Sequence, residues 1–149
     1  MKNRMYVVAI LMISFLLFTT GSFYFHKQVK TLPLVPMMQQ LLADIQQVDQ
    51  GIYTESYSLI EKGSGQISDH PTMTSDDKEL VKSTLGEEMQ KFVEYDMIVH
   101  HHADSMRMAA INKNMQKVLQ HYRIVQSGCV DCHANFRDRV SSARLEKSE

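Results

Sequence analysis

The chain has 149 residues, few glycines and prolines, and 16 basic against 17 acidic residues, for a formal net charge of −1. Setting aside Lys2 and Arg4, which precede an apolar run, the remainder carries −3, a balance that argues against nucleic acid as a partner. The length suits one domain after an N-terminal segment, and without low-complexity stretches disorder is expected only at the polar end, residues 141–149.

Residues 1–26 carry the marks of a targeting segment. Lys2 and Arg4 precede a run from Tyr6 to Phe18 that continues uncharged to Phe25, and no A-x-A cleavage signal follows. About 20 uncharged residues at 1.5 Å each span roughly a bilayer core. An uncleaved anchor is therefore favoured over a signal peptide cut near Thr20 to Ser22. With the basic end in the cytoplasm, residues 27–149 would lie in the periplasm, tethered to a bacterial inner membrane, or soluble there if the segment is cleaved.

Four helices are expected in that domain. The first runs from about Pro36, which suits a first helical turn, to Gln50. Its apolar stripe is Leu34, Met38, Leu41, Ile45, Val48 and Ile52. The second, about Thr54 to Ser68, keeps Tyr57, Ile60 and Ile67 in period. Gly63 and Gly65 would each cost it up to about 1 kcal/mol against alanine, so packing must hold it. Thr74 with Asp77 offers a capping box for the third helix, about Ser75 to Ile111, which is lined by Val81, Leu85, Met89, Phe92, Val99, Ala103, Met106 and Ala110. The fourth, about Asn112 to Arg144, carries Met115, Val118, Tyr122, Val125, Cys129, Cys132, Phe136 and Val140. Inward stripes and short links together give an all-α fold, an antiparallel four-helix bundle with an N-terminal hydrophobic signal or anchor helix.

The fourth helix holds Cys129-Val130-Asp131-Cys132-His133. Two thiols spaced C-x-x-C and followed at once by histidine are the attachment sequence of a c-type haem. The sulfurs form thioethers to the haem vinyls, and His133, on the same turn, is placed to bind the iron. A thioredoxin-like dithiol would need a strand leading into the motif, and nothing in the chain reads as one. A structural zinc site would want four ligands, and no second cysteine pair exists. A disulfide is open to an exported chain but leaves His133 unexplained. One covalent haem c is the expectation, and export, which its attachment requires, agrees with the N-terminal segment. Gly128 either clears space for the macrocycle or is an ordinary helix-weakening glycine.

With its motif near the C-terminus, Gly128-Cys-Val-Asp-Cys-His-Ala-Asn-Phe-Arg137 resembles the signature of the class II cytochromes c, the c-prime group and its low-spin relatives. The resemblance covers roughly residues 34–139 and is specific in the fourth helix, the others matching in length and order. Four-helix bundles are the architecture of the c-prime cytochromes. The resemblance implies that Cys129 and Cys132 bind haem, that His133 is the proximal ligand, and that Arg137 lies near the proximal face. Read from the residues alone, Arg137 is equally a surface cation favoured by the helix dipole.

In that family the distal residue comes from the first helix, either a ligating methionine or an apolar residue that blocks the site. Met38 lies on the expected inward stripe and is the candidate, with Met37 one residue out of register. Against it, the chain has 11 methionines, and an inward methionine is often only a gap filler. Of His100, His101 and His102, pointing about 100° apart on a helix, only His100 borders the inward face, between Asp96 and Asp104. His101 and His102 are expected in solvent, and His121 has no evident partner.

Two functions follow. An electron carrier would hold a six-coordinate iron between Met38 and His133 and exchange single electrons with membrane or periplasmic redox partners, with no enzymatic step. A five-coordinate, c-prime-like protein would bind nitric oxide or carbon monoxide, for protection or sensing. Electron transfer is preferred, because a methionine stands where the family places its ligand and a tether suits a local carrier. The resemblance further implies a homodimer.

Overall fold

The computed structural model describes residues 31–147. The segment expected to anchor the chain, 1–26, lies outside them. Among the described residues no helix is long and apolar enough to cross a membrane.

The fold is all-α apart from one minimal parallel strand pair, β1 (Thr31–Leu32) with β2 (Thr72–Met73). The sequence gives no sign of these strands, because two residues are too few for any alternation to register. Four helices build the body: α1 (Leu34–Tyr53), α2 (Tyr57–Ser68), α4 (Met89–Ile111) and α5 (Met115–Cys132). Two shorter ones flank it, α3 (Ser75–Leu85) and α6 (Asp138–Lys147).

The third expected helix is thus two. Its apolar period runs on through Val81, Leu85 and Met89, but Gly86 adopts φ +54° and a 3₁₀ turn spans Gly86–Glu88. Glycine takes that left-handed conformation without steric cost, so the helix ends there. Half of the capping box at its start forms: Thr74 Oγ1 accepts the Asp77 N–H at 3.4 Å, while the Thr74 N–H donates to the Leu32 carbonyl rather than to Asp77. The fourth expected helix continues past its motif, but through a π-helical stretch, His133–Arg137, before α6.

Close backbone packing joins α1 to α2, α2 to α4 and α4 to α5. Residue numbers run in opposite senses along each pair. Gly63 of α2 meets Asp44 and Val48 of α1, while Gly51 meets Ile60. His100 of α4 reaches Ser68 of α2, and Gly65 faces Arg107. On α5, Gly128 faces Val99 and His121 faces His102. Side chains close the ring between α5 and α1, where the Tyr122 hydroxyl donates to Asp49. One core, with Val48, Ile60, Ile67, Val99, Ala103, Met106, Val118 and Val125 among its members, fills the space between these helices. A second apolar group gathers Leu34, Met37, Val81, Leu85, Phe136 and Val140 from α1, α3, the π stretch and α6.

Gly63 stands at a close approach of α2 to α1. A Cβ there would sit 2.8 Å from the Asp44 carbonyl oxygen and 2.8 Å from a Val48 methyl. Gly63→Ala is expected to lose about 1–2 kcal/mol, because forced separation of α1 and α2 outweighs the better helix propensity of alanine. A thermal melt several degrees below wild type would show it; an unchanged or raised melting temperature would refute the close-approach account.

Candidate functional site

Cys129 and Cys132 are half-buried free thiols on the inner side of α5. Burial first, then the Asp96 charge, raises the Cys129 thiol. Burial, with smaller contributions from Cys129 and Asp96, pushes Cys132 up to about 11. A redox dithiol of the thioredoxin kind needs the opposite, a thiolate favoured at neutral pH, so this environment speaks against that alternative.

His133 opens the π stretch and is exposed, and its imidazole takes no hydrogen bond or ion pair among the described residues. Its backbone N–H reaches toward both the Cys129 carbonyl, its α-helical partner, and the Val130 carbonyl. Single π turns inside α-helices occur often at functional sites. Arg137, at the far end of that stretch, is exposed and pairs with Asp138 at 3.1 Å. Because the helix runs on through α6, Arg137 is not near a helix C-terminus.

Beside Cys132 lies an apolar wall in which Met38, Phe92 and Tyr95 pack against buried Met37 and Phe136. The rings of Phe92 and Tyr95 stand edge-on to Phe136, with centroids 5.9 and 6.1 Å away. The stripe expected on α1 is wider than its sequence suggests. Met37, placed out of register by the sequence pattern, is the more buried methionine at 4 % exposure, and Met38 is half-buried. α1 is covered on two sides, with Asp44, Val48 and Gly51 turned to α2 and Asp49 turned to α5.

The Tyr122–Asp49 link fixes the register between α5 and α1. Eleven residues make close to three helical turns, so stepping from Asp49 back to Met38 and from Tyr122 on to His133 returns to nearly the same side of each helix. The two helices run in opposite directions. By ideal helical rise, Met38 and His133 each lie about 16 Å along from the link in the same direction. Cys129, one turn before His133, shares that side of α5.

These residues fit a covalently held haem. The two thiols, an unengaged imidazole, the Met38 thioether and the wall of Met37, Phe92, Tyr95 and Phe136 would supply attachment, axial donors and apolar contact. At Gly128 a Cβ would meet a Val99 methyl at 3.0 Å, so this glycine permits the approach of α4 to α5. A cavity of about 670 Å³, lined by Gln40, Asp44, Glu61, Lys62, Asp69 and Arg107 among others, includes no residue of the motif.

The histidines depart from expectation. His101 is exposed as expected, but His102 is half-buried, with its Nδ1 3.0 Å from Nδ1 of His121, which therefore has a partner after all. Burial first, then the neighbouring His102 and Lys117 charges, lowers the His121 imidazole. Asp104 turns to Arg107 and leaves His100 with Asp96 alone. The residue that the sequence pattern misses is His70, in the link between α2 and β2. Its side chain is 7 % exposed, with Nε2 3.3 Å from Asp96 Oδ1. Burial pulls its imidazole down, but hydrogen bonds with Asp96 and Pro71 and the Asp96 and Asp44 charges outweigh it, so His70 lies above its usual range.

No family model, curated protein or solved structure matches the chain, so the meaning of the site rests on its own residues.

Proposed function

We propose that this chain is a monohaem c-type cytochrome of the class II kind, an antiparallel four-helix bundle that carries single electrons in the periplasm, tethered by its N-terminal segment. Cys129 and Cys132 would hold the haem, His133 would bind its iron on one side and Met38 on the other. The haem supplies a one-electron iron couple whose potential Met/His ligation raises. The protein residues would attach it, provide donors to its iron and exclude water with Met37, Phe92 and Phe136. Its partners would be redox proteins of the periplasm or inner membrane, and the tether would raise the local concentration for pairing with a second copy.

The observation that supports this reading is the motif Cys129-Val130-Asp131-Cys132-His133, with both thiols half-buried, an exposed imidazole next to them, and Cys132 in the same apolar group as Met38. The test is the visible spectrum of the matured, reduced protein before and after carbon monoxide is added. An unchanged spectrum is expected, since a protein ligand would close the sixth position. A large, prompt shift would mean an open position and would replace electron transfer with the binding of nitric oxide or carbon monoxide.

A further inference from the structure

His70, Asp96 and His100 bring two imidazoles and a carboxylate together at the seam of α2 and α4. One donor atom from each lies within 4.8 Å of the others. Asp96 and His100 stand one turn apart on α4, and His70 comes from the link after α2.

The hydrogen bonds on the far side of each ring decide what the near side can do. His100 Nδ1 is 2.6 Å from the Ser68 carbonyl and His70 Nδ1 is 2.8 Å from the Pro71 carbonyl. A carbonyl only accepts, so each Nδ1 carries the proton and donates. In the neutral rings both Nε2 atoms then present lone pairs. Those lone pairs face the two oxygens of one carboxylate, at 3.3 Å from Oδ1 and 3.6 Å from Oδ2. Acceptor faces acceptor, and only a cation between them makes the arrangement favourable. The ring centroids are 4.3 Å apart, so both imidazoles are held side by side.

A proton is one such cation and a metal ion is the other. Nδ1–H bonded to a backbone carbonyl, with Nε2 left as the donor, is the outer-shell pattern of metal-binding histidines. Ligands about 2.1 Å from a tetrahedral ion stand about 3.4 Å from each other, close to the two separations found here. Two imidazoles and one carboxylate with a fourth side toward solvent is a zinc-type donor set.

We propose that His70, Asp96 and His100 form a binding site for a divalent transition cation of the zinc class. Bound there, the ion ties the link between α2 and β2 to α4. The site uses none of the haem-motif residues, so a chain found to lack haem would leave it standing.

The experiment is calorimetric titration of Zn²⁺ into the full-length, matured protein in detergent, after chelator treatment. One Zn²⁺ per chain is expected. Asp96→Asn and His70→Gln should each weaken binding at least about tenfold, while His102→Gln, at the other histidine pair, should leave it unchanged. Wild-type protein that takes up no zinc, or an Asp96→Asn variant that binds as tightly as wild type, would overturn the proposal. Should a variant fail to fold, zinc-edge absorption of the wild-type complex decides: two imidazoles and no sulfur support the site, and sulfur ligands would assign the ion to Cys129 and Cys132 instead.

Discussion

Replacing Cys129 and Cys132 together with alanine is expected to abolish covalent haem. The thioethers are the only bonds in the proposed site that survive acid extraction, so haem that stays with the chain after extraction measures them directly. Wild-type protein should keep its haem, the double variant should keep none, and each single variant should keep little or hold it through one bond with altered absorption. The chain itself should become scarce as well, because a bundle of this size gains much of its core from a buried macrocycle and unfolded chains are cleared. Extractable haem and chain abundance must therefore be measured on the same sample. A double variant that retains haem at the wild-type ratio would sink the cytochrome reading altogether.

The second large effect separates two adjacent methionines. Met38→Ala should open the sixth coordination position: carbon monoxide should now shift the reduced spectrum promptly, and the reduction potential should fall, because the thioether ligand that raises it is gone. Met37→Ala should do neither. Met37 is buried in the second apolar group, so its truncation should cost about 2–4 kcal/mol of stability with the spectrum intact. The opposite pattern, in which Met37→Ala admits carbon monoxide and Met38→Ala does not, would transfer the ligand role to the neighbour. If both variants bind the gas no better than a non-binding wild type, neither methionine closes the site.

Much of this was legible in the residues, and the failures have physical causes. Four helices and most of their buried positions, from Val48 to Val140, follow from apolar spacing, because a helix buried along one stripe imposes that spacing on its sequence. The break at Gly86 was hidden by the same signal, since the apolar period carries on across it. No composition marks a π turn, so His133–Arg137 passed as ordinary helix. Met37 was misplaced because a single-stripe pattern assumes one covered face, and α1 has two. The C-x-x-C-H motif needed no fold to be seen, whereas the set of His70, Asp96 and His100 could be seen only in the fold. A lone histidine in a link has no period and no motif, and only the packing of α2 on α4 brings it to its partners.

Asp77 ties together the parts of the chain that carry the two proposed axial ligands. Its carboxylate accepts the Leu34 N–H at 2.7 Å and an Arg144 N–H at 2.5 Å. Leu34 begins the turn that leads to Met38, and Arg144 lies on α6, the direct continuation of the helix through His133. The donors on opposite sides of the iron would thus be braced against a single carboxylate. Supports of this kind keep ligands near one geometry while the charge between them changes. Each electron would then arrive and leave with little nuclear rearrangement, and a low reorganisation energy is what a carrier, as distinct from a gas trap, requires.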